Sequence, residues 1–140
     1  MKMHTYVNFP GSCREALRFY EEHLGAKIVM MSTFDQMPDP KNIPPGLEKG
    51  VLHARIEIGE TILMASDGPK DRVQPMRSAY LSLSVDSEVE AERIYGALSD
   101  GGEVFLPLAE TFFATRFAQF RDRFGINWMI IRERPMPQPA

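Results

Sequence analysis

Apolar residues recur at every second position in some stretches of the chain and at every third or fourth in others. The two periods alternate along its length. Thr5, Val7 and Phe9 face away from His4, Tyr6 and Asn8, which predicts a strand. Pro10-Gly11 breaks it. Ser12, with Glu15 three residues on, predicts a capping box, and Ala16, Phe19, Tyr20 and Leu24 follow at helical spacing as far as Gly25. Ala26 to Phe34 predicts a second strand. Pro38, Pro40, Pro44, Pro45 and Gly46 then exclude regular structure from Asp35 to Lys49, a loop that serves either as a flap or as a plain surface excursion. Val51 to Asp67 predicts a hairpin that turns at Ile58-Gly59-Glu60-Thr61. In its first arm Leu52, Ala54, Ile56 and Ile58 point one way, and His53, Arg55 and Glu57 the other. A strand face that carries such groups predicts the wall of a cavity.

After a polar stretch, Gly68 to Arg77, the cycle starts again. Leu81, Leu83 and Val85 alternate with Tyr80, Ser82 and Ser84. Asp86-Ser87 predicts a helix start, Ala91, Ile94, Tyr95 and Leu98 form its stripe, and Gly101-Gly102 ends it. Val104 to Leu108, Arg116 to Arg121 and Ile126 to Arg132 predict three further strands. A loop from Ala109 to Thr115 and a turn at Asp122-Arg123-Phe124-Gly125 separate them. Tyr6-Val7-Asn8-Phe9 matches Tyr80-Leu81-Ser82-Leu83 in kind, and Glu15 to Tyr20 matches Glu90 to Tyr95 at nearly the same offset. Two copies of one βαβββ unit are therefore expected: an α+β fold with residues 1–67 as the first module, 68–77 as a linker, 78–134 as the second module and 135–140 as a disordered tail. Pairing two such modules covers sheet faces and edges that a lone one leaves open.

Composition narrows the function without naming it. A chain of 140 residues carries its own core, and a net charge of −3 without a basic block speaks against nucleic acid and anionic membranes as partners. The single cysteine, Cys13, leaves no intrachain disulfide. No stretch reads as a signal peptide or a membrane span, so a cytoplasmic protein is expected. Cys13 follows the expected N-cap, but no His–Asp arrangement activates it, and it reads as structural. No GxGxxG follows a strand, and P-loop, HExxH, CxxC and GxSxG motifs are absent.

Phe9-Pro10-Gly11-Ser12-Cys13-Arg14-Glu15-Ala16 with Phe19-Tyr20, His53-Ala54-Arg55 and Leu63 to Asp67 form one set of motifs. Gly101 to Val104, Pro107 to Phe113 and Asp122 to Ile130 complete it. Together they resemble the vicinal oxygen chelate superfamily, which includes glyoxalase I, extradiol dioxygenases and the bleomycin and fosfomycin resistance proteins. The likeness is to its PhnB-like branch, some of whose members carry a demethylubiquinone methyltransferase-like label. The resemblance implies curved mixed sheets with helices outside, a homodimer, and a small organic molecule bound in a cavity between modules.

The superfamily's metal enzymes place one ligand on the first strand of each module and one on a later strand of each. By register those positions hold His4, His53, Tyr80 and Met129. Tyrosine and methionine are poor ligands for the usual divalent ions, so the glyoxalase pattern is incomplete. Glu110 suggests another set: His4, His53 and Glu110 as a facial triad for Zn, Ni, Fe or Mn, in a metal-dependent lyase, isomerase or dioxygenase-type enzyme. The other reading is a binding protein that uses Tyr6, Arg55, Tyr80, Phe112 and Phe113 without metal. His53 reads as cavity lining, as a ligand or as a structural histidine. Arg55 reads as a fork for a carboxylate or phosphate, or as an ion-pair partner of Glu57 or of a neighbouring strand.

Overall fold

The computed structural model describes residues 1–135, and the expected tail lies outside them except for Pro135. The chain divides into two compact units, the first ending at Gln74 and the second starting at Pro75. The first runs β1 (Thr5–Phe9), α1 (Cys13–Leu24), β2 (Lys27–Thr33), β3 (Val51–Ile58) and β4 (Thr61–Asp67). The second runs β5 (Leu81–Ser84), α2 (Glu88–Ser99), β6 (Glu103–Ala109), β7 (Ala114–Arg121) and β8 (Asn127–Glu133). Each makes a four-stranded mixed sheet, in the order β1-β4-β3-β2 and β5-β8-β7-β6. In both, the strand before the helix runs parallel to the last strand, and the other pairings are antiparallel. The fold is thus α+β, with one βαβββ plan used twice.

Each helix buries one stripe on its own sheet. In α1 the stripe is Cys13, Ala16, Leu17 and Tyr20, at the spacing one helical face requires. It meets Val7, Phe9, Ala54, Ile56, Leu63 and Ala65, all buried. In α2 the stripe is Ala91, Ile94 and Leu98, and the buried sheet side chains are Ala118, Phe120, Trp128 and Ile130. Burial of each large apolar side chain contributes roughly 1.5–3 kcal/mol. Arg116 on β7 adds ion pairs to Glu88 and Glu92, one turn apart on α2, at 3.4 and 3.3 Å.

The helix ends show what local pattern controls. Gly25 closes α1 in the left-handed region, with φ 64°. Ser87 caps α2 by accepting the Glu90 N–H at 3.1 Å. Ser12 does not cap α1: its ψ of 14° lies outside the extended geometry of a capping serine, and its side chain makes no cap bond. The carboxylate of Asp67, at the end of β4, takes that place. Its Oδ1 accepts from the Gly11 and Cys13 N–H groups at 3.0 and 2.9 Å, and its Oδ2 from Val51 N–H at 2.8 Å.

Two further expectations are corrected. The alternation of β3 is broken at its start: Val51 and Ala54, three apart, are both buried, while Leu52 is only half-buried. Ser32 pairs with His53 and Thr33 with Val51, so Leu52 is an extra residue in a bulge. The proline-rich loop is not wholly irregular either. It holds single 3-10 turns at Phe34–Gln36 and Pro40–Asn42, and Pro40 takes a first-turn position where a missing N–H costs nothing. Phe34 and Leu47 are buried and anchor it.

Candidate functional site

The face of the first sheet opposite α1 gathers polar and soft side chains. Tyr6 lies beside Met64, Met64 beside Arg55, and Arg55 beside Met30, in one row across four strands. Two residues further along each strand, on the same face, come Asn8, Ser66, His53 and Ser32. The intervening Val7, Ala65 and Ala54 point to the helix and are buried.

The polar groups on this face are linked. The Tyr6 and His53 rings stack with centroids 5.7 Å apart at 22°, and the phenol oxygen lies 3.3 Å from Nδ1. If Nδ1 accepts the phenol proton, Nε2 carries the imidazole proton; in the other tautomer Nε2 is an acceptor. The Ser66 hydroxyl donates to Asn8 Oδ1 at 2.8 Å. Arg55 is different. Its Nε is buried and has no hydrogen-bond partner. Such a donor is costly to leave unmet, about 1–3 kcal/mol or more for a charged group. The expected alternative, an ion pair with Glu57, is not formed among the described residues.

The structure brings Tyr6, His53 and Arg55 together on one face; His4 precedes β1 in the same unit, and Tyr80, Glu110, Phe112 and Phe113 belong to the second unit. Tyr80 precedes β5 and meets the Phe105 ring edge-on at 6.5 Å, while the Arg121 guanidinium lies 5.4 Å from the Phe105 centroid. Phe112 and Phe113 stand in the short loop between β6 and β7. Phe112 is 93% exposed, and Phe113 packs on Phe117 at 5.0 Å. Glu110, in the same loop, is ion-paired with Arg134.

The sequence proposed His4, His53 and Glu110 as ligands of a metal ion; the first two lie in the first unit and the third in the second. His4 is exposed ahead of β1, His53 Nδ1 is engaged by Tyr6, and Glu110 is neutralised by Arg134. Among the described residues no three His, Cys, Asp or Glu side chains are grouped to hold one. Asn8, Ser32, Met64 and Ser66 were missed in the sequence. The available signal was their phase, since each shares the face of His53 once the strands are set in register.

Two other groups with chemical promise are structural. Burial, then the neighbouring Asp67 charge, pushes the Cys13 thiol from its ordinary 9.0 up to about 12. The thiol stays protonated and is no nucleophile near neutral pH. Asp122 is buried and accepts from Phe124 N, Ile126 N and the Trp128 indole at 2.8–3.0 Å.

A family model described as the Glyoxalase/Bleomycin resistance protein/Dioxygenase superfamily matches residues 2–130. Protein YjdN of Escherichia coli (strain K12) is 28% identical, over 96% of this chain and 99% of that protein. The crystal structure of protein PA1353 from Pseudomonas aeruginosa is similar at 38% identity and TM-score 0.85, covering 96% of this chain and 99% of the other. The PhnB protein from Bacillus cereus shares the fold at 24% identity and TM-score 0.80, covering 94% and 99%. No helix among the described residues is long and apolar enough to cross a membrane.

Proposed function

The chain belongs to that superfamily, and from this premise we propose that the open face of its first sheet binds a small organic molecule bearing a carboxylate or phosphonate. The observation that carries the reading is the buried, unpartnered Nε of Arg55, flanked by the Tyr6–His53 pair. Met64 and Met30 are the cross-strand neighbours of Arg55, and its unpartnered Nε is left for a planar or tetrahedral anion. The Tyr6 phenol and His53 Nε2 supply neutral hydrogen bonds to oxygens beside the anion. Met30 and Met64 offer an adaptable apolar surface to the rest of the molecule. Tyr80, Phe112 and Phe113 are retained as proposed ligand contacts, each tested by its own alanine variant. A homodimer and a cytoplasmic setting belong to the same reading; sedimentation velocity tests the first.

The test is calorimetric titration with a panel of small carboxylates and phosphonates. Arg55→Gln should weaken a hit at least about tenfold, because a hydrogen bond to a charged group contributes roughly 1.5–3 kcal/mol. Tyr6→Phe should weaken it less. A hit whose affinity is indifferent to Arg55→Gln would overturn the reading.

A further inference from the structure

The first unit has a second concavity that this proposal does not use. It is a cavity of about 920 Å³, lined by the loop after β2, by the segment after β4 and by Gly11 in the turn before α1. Its charged lining is Lys41, Lys70, Arg72 and Asp71. None of the three cations has an ion-pair partner among the described residues. Asp71 leaves the lining with a surplus of two positive charges, on a chain whose net charge is −3. Like charges converge on a concave wall at an electrostatic cost, and a bound anion would offset it.

Apart from Asn42, the remaining side chains of the wall are apolar, and the wall is stiff. Ile43, Pro44, Pro45 and Leu47 line it, and Leu47 is anchored in the core. Backbone bonds from Leu47 N to Pro44 O and from Gly50 N to Leu47 O fix that stretch. On the other side Arg72 N and Val73 N both bond to Pro69 O, which holds the cationic turn in shape. The Lys70 stem reaches over Gly11, its Cε 4.0 Å from where a Cβ on that glycine would sit. The glycine has φ 105°, so a side chain there would strain the backbone.

We propose that this cavity is a separate site for an organic phosphate monoester, with the dianion held by Lys41, Lys70 and Arg72 and its apolar part laid on Ile43, Pro44 and Pro45. Two surplus charges match a phosphate dianion better than a monocarboxylate. The apolar wall selects an organic ester over the free ion. The site shares no residue with the face that carries Arg55, so the two are separable by mutation.

Phenyl phosphate is the probe, with inorganic phosphate and phenol as controls, read by calorimetry and by amide shifts on the intact chain at two salt concentrations. Phenyl phosphate should bind, more weakly at the higher salt. Its affinity should fall at least tenfold in K70Q/R72Q and again in Lys41→Glu, and stay unchanged in Arg55→Gln. The three cations are exposed, so these variants should fold, and their far-UV spectra check it. Absence of binding, or binding indifferent to K70Q/R72Q, overturns the site. Loss in Arg55→Gln alone assigns the probe to the sheet face and also overturns it. Inorganic phosphate binding as tightly as phenyl phosphate overturns the assigned role of the apolar wall.

Discussion

Asp67 and Cys13 lie 54 positions apart, yet an Asp67 carboxylate oxygen accepts the Cys13 N–H at 2.9 Å in a buried setting. The same side chain serves Gly11 and Val51, so one residue ties the end of β4 to the start of α1 and to the start of β3. Asp67→Ala would leave three N–H groups without their acceptor, two of them in buried bonds. The expected loss is at least ~3 kcal/mol, at 1–3 kcal/mol for each unsatisfied group. Urea unfolding would show it as a lower midpoint with an unchanged slope. A loss under about 1 kcal/mol would mean that water replaces the carboxylate and that the tie is not structural.

Two glycines of the second unit should respond in opposite directions to the same change. A Cβ on Gly102 would lie 2.0 Å from the Arg121 carbonyl oxygen, so Gly102→Ala must push backbone apart. A loss of ~3 kcal/mol or more is expected, in the range of severe backbone strain. Gly96 sits exposed within α2 with nothing within 4 Å of a Cβ, and Gly96→Ala should gain about 0.5–1 kcal/mol. Thermal melts of the pair decide it: equal shifts would refute the close approach at Gly102.

The Cys13 thiol links stability to alkaline pH. Burial and then Asp67 raise its folded value to about 12, against 9.0 in the open chain. Below pH 9 both states hold the proton and the full contribution is present. Between 9 and 12 the unfolded state loses the proton first, so stability falls as pH rises, by up to about 1.4 kcal/mol per unit. Cys13→Ala should flatten this slope relative to the parent between pH 9 and 11, measured by urea unfolding at each pH. An unchanged slope would show that other groups carry the alkaline loss.

Metal content separates a ligand role of His53 from cavity lining or a structural role. In the metal-free reading, protein purified without a histidine tag and supplied with zinc, nickel, iron and manganese should retain far less than one ion per chain, since His53 Nδ1 is engaged by Tyr6. Near-stoichiometric metal that disappears in His53→Ala would restore the metal-enzyme reading.

The repeated βαβββ plan was legible because it rests on local periodicity: the stripes of α1 and α2, the left-handed stop at Gly25 and the cap at Ser87 all follow from neighbours in sequence. Ser12 misled for the opposite reason. Its motif was locally complete, but a carboxylate from β4 took over the N–H groups at that end. Leu52 broke the alternation of β3 because a bulge depends on the partner strand, β2, and not on the strand's own composition. At the site, the facing of His53 and Arg55 was readable from period two. That Tyr6 would stack on His53, and that Ser66 would bond Asn8, required the register between β1, β3 and β4. For the metal set, a side chain's type shows what it is able to ligate, and only its neighbours, such as Arg134 beside Glu110, show whether it is free to do so.

At one edge of each sheet, β2 and β6 both slip register near their first third, between Ile28 and Met30 and between Val104 and Leu106. Val29 and Phe105, the residues at the slips, are partly exposed and apolar, the kind of sequence that invites a foreign chain to zip alongside. A misplaced residue there puts the outward amides out of step with any straight intruder. One edge of each sheet thus carries its own guard against fibril growth, and straightening either strand by deleting its extra residue would trade that protection for a smoother ladder.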